Sequence, residues 1–442
     1  MNYLVCIHGW NEDSSVFSAL IKSLATEQYD RTHIMGMADF VSLDDTVTFD
    51  DLIAAMEHAW HTYGLPKSGK RVDVVTHSTG ALVFRAWLNR YYAGRENPIS
   101  HLLMLAPPNF GSHLAHQGRA FIGRVLKGFG HHRPFEVGAN LLKGLELASS
   151  FTWDLAIEDC FSNNAPFNSE NILTTILIGS TGYEGLAAAA NEPGTDGTVP
   201  IACANLNPAM ILIKQNIAGS LDYEVKKSNN EIAFGVIANV NHRSILGDAD
   251  GFVYDIKLCI KALAIRSYEF HDWQHYLSRK TLSALAGSSN YQNIVTRVYN
   301  QFNTLVNDYH VDFGCGDSRG TNGCFYDAFV RSVHTFEENI SFRAFKVDIS
   351  YLKNQLAALD FNSEKVIDVS MAAFPSISAS DANVGYSFCD SEHNNSLQLS
   401  MVQMKDLFIP ATTLILDWQV TKKQKQNLFA IHKESKLVGS LV

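Results

Sequence analysis

The sequence predicts an α/β protein with a mainly parallel sheet, followed by a β-rich C-terminal region. From residue 3 to about residue 270, short apolar segments alternate with amphipathic helical segments, which is the pattern of a parallel sheet covered by helices. Beyond this point the pattern changes to short alternating segments separated by turn residues. At 442 residues the chain is also long enough for two domains.

The elements follow one another regularly along the first part of the chain. Apolar, β-branched runs predict strands, and apolar residues spaced three or four apart predict helices. The predicted strands are 3–9, 33–37, 72–75, 101–107, 172–180 and 232–240. The predicted helices are 14–27, 49–64, 81–88 and 254–270.

Composition excludes several classes of protein. Hydrophobic residues make up 46% of the chain, no apolar run reaches the roughly 18–20 residues of a membrane span, and the formal charge of −10 argues against nucleic-acid binding. Seven cysteines do not make a disulfide scaffold; Cys315 and Cys324 are placed to pair or are two reduced thiols. The first residues do not resemble a secretory signal, so we expect a cytoplasmic protein or one exported by a signal-less route.

The turn between strand 72–75 and helix 81–88 reads Thr-His-Ser-Thr-Gly and centres on Ser78. It matches the nucleophile elbow G-x-S-x-G with Thr76 in place of the first glycine. In an elbow the serine adopts a strained backbone conformation that lifts its Oγ clear of the sheet, and small neighbours let strand and helix pass closely. Such a turn also arises by chance, so Ser78 is a nucleophile or one polar residue in an ordinary connection. We expect His77 to be a packing residue, because adjacent side chains diverge.

Three further landmarks each follow a predicted strand. His8-Gly9-Trp10 follows the first strand, Asp196 lies in a glycine-flanked turn after strand 172–180, and His242 follows strand 232–240. Because the carboxyl ends of parallel strands meet at one edge of a sheet, we expect these residues to lie near Ser78. The rival acids are Asp222, Asp248 and Asp250, and the rival bases are His113 and His116.

In this order, the stretches IHGW, THSTG, LAPPNFGS, DGTVP and NHRSIL resemble the landmarks of the α/β-hydrolase superfamily of serine lipases and esterases, over roughly residues 1–268. The resemblance implies an α/β-hydrolase fold with a helical cap and without a cofactor. It implies a triad in which Ser78 is the nucleophile, His242 the base and Asp196 the acid. Backbone N–H groups of Trp10 and Thr79 would form the oxyanion hole.

Residues 111–171 separate two predicted strands, and we expect this long excursion to form a cap or lid over the cleft. Within 119–143 lie five basic residues, one acidic residue and several apolar ones, of which Phe121, Leu126 and Phe129 are expected to face the substrate. Either the basic residues are solvated on the outer face of the cap, or the cap contacts an anionic lipid surface. An apolar cap favours long acyl chains.

The predicted organisation is a catalytic domain over 1–270, a helical linker over 271–290 and a β-sandwich over 291–442, whose protein partner the sequence does not disclose. No His, Cys or Glu group has the spacing of a metal site, so no metal is expected. We expect a serine carboxylester hydrolase of lipase or phospholipase type that acts on lipid or acyl esters, with peripheral membrane contact as an option; in its extra domain it resembles some bacterial phospholipase effectors. The alternatives are an acyltransferase or thioesterase with the same triad, and a catalytically silent binding protein.

Overall fold

The computed structural model describes residues 1–9, 17–24, 29–36, 45–115, 138–216, 220–247, 250–286, 290–316, 323–324, 326–357, 366–373, 386–387, 396–421 and 423–424. Its strands are β1 Tyr3–His8, β2 Arg31–Gly36, β3 Val72–His77, β4 Ile99–Leu105, β5 Leu173–Gly179, β6 Ala209–Gln215, β7 Leu221–Lys227, β8 Ile232–Ile237, β9 Tyr291–Asn300, β10 Tyr309–Gly316, β11 Gly323–Cys324, β12 Val330–Thr335, β13 Phe342–Asp348, β14 Val366–Ala373, β15 Tyr386–Ser387, β16 Leu397–Ser400, β17 Thr413–Val420 and β18 Lys423–Gln424.

The helices in these ranges are α1 Ser18–Leu24, α2 Phe49–Thr62, α3 Gly80–Tyr92, α4 Ala139–Leu145, α5 Ser150–Cys160, α6 Ile201–Ala204, α7 Lys257–Ala264, α8 Phe270–Ala284, α9 Tyr326–Phe329, α10 Ile349–Ala357 and α11 Met401–Leu407. Short 3-10 segments cover Gly185–Ala190, Ser244–Leu246 and Ser267–Glu269. In the described part of the chain, no helix combines the length and the hydropathy that crossing a bilayer requires.

The main sheet contains six parallel strands in the order β2-β1-β3-β4-β5-β8. Every residue of β1, β5 and β8 is buried, as expected for parallel strands covered by helices on both faces. The chain passes from β1 outward to β2 and then returns to β3 on the other side of β1. The carboxyl ends of β1 and β3 therefore flank a topological switch point, which is where open α/β sheets bind ligands.

The second half of the predicted cap belongs to the main core. Neighbouring parallel strands require a crossover connection, and α5 lies in the one between β4 and β5. Its residue Phe151 stacks on Phe49 of α2, with ring centroids 3.9 Å apart, and Trp153 is buried. The cap prediction over 111–171 is therefore too broad. Residues 116–137, which include Phe121, Leu126 and Phe129, lie outside the described residues.

The predicted helix 254–270 is divided in two, and the predicted linker is a packed helix. The chain becomes extended at Ile265, with a ψ of 141°, between α7 and α8. Ile265 is buried, so the apolar spacing continues through the break and the sequence pattern does not indicate it.

Helix α8, which includes most of the predicted linker, covers the edge strand β8. Gln274 donates to the Ile232 carbonyl at 3.4 Å, and Thr281 Oγ1 accepts from the Val236 N–H at 3.0 Å. Polar side chains of the helix thus occupy main-chain groups of the open sheet edge.

Ten of the twelve remaining β-strands that the structure describes form two further sheets around a second core, and β15 and β18 pair in a separate two-stranded sheet. A six-stranded mixed sheet has the order β12-β13-β9-β17-β6-β7, and a four-stranded antiparallel sheet has the order β11-β10-β14-β16. Phe313 of the smaller sheet meets Phe345 of the larger one, with ring centroids 6.2 Å apart. This β-rich region agrees with the predicted fold class. Cys315 and Cys324 lie on the neighbouring strands β10 and β11.

One part of the β-rich region comes from the stretch assigned to the catalytic domain. The hairpin β6–β7, for which the sequence analysis predicts no strand, pairs in parallel with β17, and Ile211 lies opposite Leu416. A division of the chain at residue 270 therefore separates strands that belong to one sheet. Such a pairing depends on a partner far along the chain, which local periodicity does not identify.

Candidate active site

The predicted elbow is present between β3 and α3. Ser78 has a φ of 52°, in the left-handed region that residues other than glycine rarely adopt. Its N–H donates to the Leu105 carbonyl at 3.0 Å, and its carbonyl accepts from the Ala81 N–H at 3.1 Å. The surrounding backbone therefore holds a conformation that costs about 1–3 kcal/mol in isolation.

Two glycines let the elbow lie directly against the end of β1. A Cβ on Gly80 would lie 2.7 Å from the Ile7 carbonyl oxygen, and a Cβ on Gly9 would lie 3.0 Å from Ser78 Cβ. Any larger residue at position 80 would push α3 away from β1. Thr76, which replaces the usual first glycine, is accommodated as a fully buried residue of β3.

His242 and Asp196 converge on Ser78 from two other loops. His242 Nε2 lies 3.0 Å from Ser78 Oγ, and His242 Nδ1 lies 2.9 Å from Asp196 Oδ2. The N–H of His242 also donates to the Asp196 carbonyl at 2.9 Å, which ties the two loops together. The side chains of His242 and Asp196 are fully buried. The structure thus brings together the three residues of the predicted triad.

The hydrogen bonds to Asp196 decide which nitrogen of His242 carries the proton. Asp196 Oδ1 accepts from the N–H groups of Thr198, at 2.9 Å, and Val199, at 2.7 Å. An ionised carboxylate only accepts, so His242 Nδ1 donates to Oδ2 and the lone pair of Nε2 faces Ser78 Oγ–H. In this tautomer the imidazole can take the proton of Ser78, which is the requirement for an activated serine nucleophile.

Three side chains to which the sequence analysis gives no role in the site hold the turn of Asp196. Ser112 Oγ donates to the Thr198 carbonyl at 2.6 Å, and the hydroxyl groups of Tyr183 and Thr198 are 2.6 Å apart. The Tyr183 ring also lies against Gly197, where a Cβ would approach it to 2.7 Å. These residues come from three separate segments. Ser112 and Thr198 lie in the stretches LAPPNFGS and DGTVP, but neither stretch identifies the other as its partner.

His77, expected to be only a packing residue, also contacts the backbone of the base. It is buried, and its Nε2 lies 3.0 Å from the His242 carbonyl oxygen. Because a carbonyl only accepts, His77 Nε2–H is the donor. The two imidazole rings lie with centroids 4.9 Å apart. The residue before Ser78 is therefore bonded to the loop that carries His242.

A buried ion pair anchors α3, the helix that follows Ser78. Arg85 is fully buried and donates to both carboxylate oxygens of Asp159 in α5, at 2.7 and 3.0 Å, and to Asn109 Oδ1 at 3.1 Å. Burial lowers the pKa of Arg85, but the nearby Asp159 carboxylate outweighs this effect and raises it, so the guanidinium stays charged. Removing one partner of such a pair costs about 3–5 kcal/mol.

The other predicted site residues are placed as follows. Of the two predicted oxyanion-hole residues, Thr79 directly precedes α3. The first N–H groups of a helix have no acceptor within the helix. Trp10 lies outside the described residues. Of the rival acids, Asp222 and Asp250 are exposed and Asp248 is outside the described ranges. Of the rival bases, His113 is buried, and His116 is outside them. Within the described ranges, no three His, Cys, Asp or Glu residues are grouped to hold a metal.

Two solved structures of a phospholipase match this chain over nearly its whole length. The structure of phospholipase PlaB from Legionella pneumophila matches with a TM-score of 0.82 and 18% identity, covering 100% of this chain and 98% of that one. The same enzyme in complex with thio-NAD matches with a TM-score of 0.80 and 18% identity, covering 98% and 97%. Neither a protein-family model nor a curated protein sequence matches the chain. The chain therefore has the α/β-hydrolase fold, extended by a β-rich region as in the PlaB structure.

Proposed function

We propose that the protein is a serine carboxylester hydrolase in which Ser78 is the nucleophile, His242 the general base and Asp196 the residue that orients it. The observation that carries the proposal is the chain of hydrogen bonds from Ser78 Oγ through both ring nitrogens of His242 to the Asp196 carboxylate. The strained φ of Ser78 supports it independently. Because the α/β-hydrolase fold serves many reactions, the proposal depends on this site and not on the fold.

The proposed reaction is acyl transfer in two steps. Ser78 Oγ attacks the ester carbonyl while its proton moves to His242 Nε2; the tetrahedral intermediate then expels the alcohol, which takes that proton, and leaves an acyl group on Ser78. Water repeats the sequence, with His242 again accepting and returning a proton, and releases the carboxylic acid. The N–H groups of Thr79 and Trp10 would stabilise the oxyanion, each contributing about 3 kcal/mol.

The proposed substrates are acyl esters of lipids. One solved structure that covers the whole chain is that of a phospholipase from Legionella pneumophila. The apolar residues Phe121, Leu126 and Phe129 would line the path of the acyl chain, and the basic residues near them would meet an anionic lipid surface. Transfer of the acyl group to an alcohol or its removal from a thioester would use the same triad. A binding protein without activity is the candidate from another class.

Labelling and turnover together test this function. The protein is treated with a fluorophosphonate probe and then assayed with p-nitrophenyl esters of increasing chain length and with phospholipid vesicles. We expect labelling at Ser78, faster turnover of longer esters and release of fatty acid from phospholipid. Labelling with transfer to an added alcohol in place of hydrolysis would identify an acyltransferase. A protein that neither reacts with the probe nor hydrolyses any ester contradicts the proposal.

His77 is expected to position the base. Changing His77 to Met removes the donor to the His242 carbonyl and leaves a buried acceptor unsatisfied, whereas His77→Gln keeps an N–H of similar reach. We expect kcat for a soluble ester to fall about tenfold in His77→Met with KM nearly unchanged, and to recover in part in His77→Gln. Equal rates for the two variants would mean that the hydrogen bond does not position His242.

A further inference from the structure

Two histidines on α8 face each other at the protein surface. His271 and His275 are one helical turn apart, and both are exposed. Their Nε2 atoms lie 3.0 Å apart, and their rings are nearly perpendicular with centroids separated by 4.4 Å. The arrangement follows from the helix, since residues four apart lie on the same face.

The separation of the two nitrogens matches that of neighbouring ligands on one metal ion. Imidazole nitrogens bind Zn²⁺ at about 2.0–2.1 Å, so two adjacent ligands lie about 2.8–3.0 Å apart in octahedral geometry and about 3.3–3.4 Å apart in tetrahedral geometry. In the metal-free protein, one neutral imidazole donates its Nε2–H to the lone pair of the other. If both rings carry their proton on Nδ1 instead, both Nε2 lone pairs are available to a metal ion.

The surroundings leave room for a metal and for its other ligands. The pair lines a groove of about 560 Å³, together with polar side chains that include Asn207, Gln274 and Ser278. In the described part of the chain no third His, Cys, Asp or Glu joins the pair, so water would complete the coordination. Two imidazoles without a carboxylate favour Cu²⁺, Ni²⁺ and Zn²⁺ over Mg²⁺ and Ca²⁺.

We propose that His271 and His275 form a binding site for a divalent transition metal. The site shares no residue with the hydrogen bonds of Ser78, His242 and Asp196, so it stands independently of the proposed enzymatic function. It revises the expectation that the chain has no metal site, because the sequence analysis did not single out the spacing H-x-x-x-H. A bound metal would tie the first two turns of α8 together.

Metal binding is expected to stabilise the folded protein through α8. This helix is held to the main sheet by Trp273, whose indole N–H donates to Thr175 Oγ1 at 3.0 Å, and by the side chains that cover the edge of β8. A ligand that binds only the folded state raises its stability with increasing concentration. Because metal and protons compete for the imidazole lone pairs, this stabilisation decreases at acid pH.

The test uses tag-free, EDTA-stripped full-length protein titrated with Zn²⁺, Ni²⁺ or Cu²⁺ in a weakly coordinating buffer. Calorimetry measures binding and a thermal melt measures stability, for the wild type and for His271→Ala, His275→Ala and the control His58→Ala, an exposed histidine on α2. We expect one metal per chain and a raised Tm. Loss of either ligand histidine should weaken binding about a hundredfold, since the second ligand is held near the first. His58→Ala should bind like the wild type.

Two results would overturn the site. One is the absence of metal binding in the wild type at metal concentrations up to about 1 mM. Above this concentration, binding by two histidines is no tighter than binding by a single imidazole. The other is binding that survives unchanged in His271→Ala and His275→Ala, because the metal would then lie elsewhere. Both substitutions are on an exposed helical face, where alanine is favourable for the helix, so misfolding does not confuse the result.

Discussion

Changing Ser78 to Ala is expected to abolish ester hydrolysis while leaving the protein folded. The substitution removes the one atom that forms the acyl bond, and alanine occupies less space at the end of β3. Loss of a triad serine lowers kcat on the order of 10⁵–10⁶-fold, and His242→Ala should have a similar effect, because the two residues act as a unit. Initial rates with a soluble p-nitrophenyl ester measure the loss.

Ser23→Ala serves as the matched control for Ser78→Ala. The Ser23 hydroxyl donates to the Ala19 carbonyl within α1, so its loss should change neither activity nor labelling. The fluorophosphonate probe should label the wild type and Ser23→Ala equally and should not react with Ser78→Ala. If Ser78→Ala keeps a rate near that of the wild type, another residue is the nucleophile.

Changing Asp196 to Asn is expected to lower kcat about 10⁴-fold without unfolding the protein. In the wild type, Oδ1 accepts two backbone N–H groups and Oδ2 accepts from His242. The asparagine oxygen would keep the two backbone donors, which turns its NH₂ group toward His242 Nδ1. The imidazole must then accept at Nδ1 and carry its proton on Nε2, where it cannot take the proton of Ser78.

Asp222→Asn tests the rival acid in the same experiment. Asp222 is exposed on β7, a strand of the mixed sheet, so this variant should retain full activity. Far-ultraviolet circular dichroism and the Tm of both variants report on folding. If Asp196→Asn is active and Asp222→Asn is not, Asp196 is only a turn residue and the acid has been misassigned.

Much of the candidate site could be predicted because its signals are local. Ser78, Asp196 and His242 each follow an apolar strand, and parallel strands place all their carboxyl ends at one edge. The glycines at positions 9 and 80 lie in the same short motifs, although the contact that requires them joins the end of β1 to the elbow. The start of α2 after Thr48 also has a local signal, because the capping box between Thr48 and Asp51 spans only four residues.

The supporting contacts could not be predicted, because each joins segments that are distant in the chain. His77 bonds to the loop of His242, and Ser112 bonds to Thr198. Neither partner has a local pattern that identifies the other. The break at Ile265 was missed for a related reason: the carbonyl of this residue accepts from His101, which lies on β4.

The amino-acid sequence was sufficient for the fold class, the strand-to-helix elbow and the three residues that meet there, because side-chain periodicity and turn chemistry act over a few residues. The boundary between the main parallel sheet and the β-rich region could be located only in the three-dimensional structure. Strand β6 has the apolar pattern of a buried strand, yet it lies in the mixed sheet because β17 offers it a parallel edge. Strand pairing is a contact between remote main chains, and the free energy that selects one partner comes from burial in the assembled core, which local sequence does not encode.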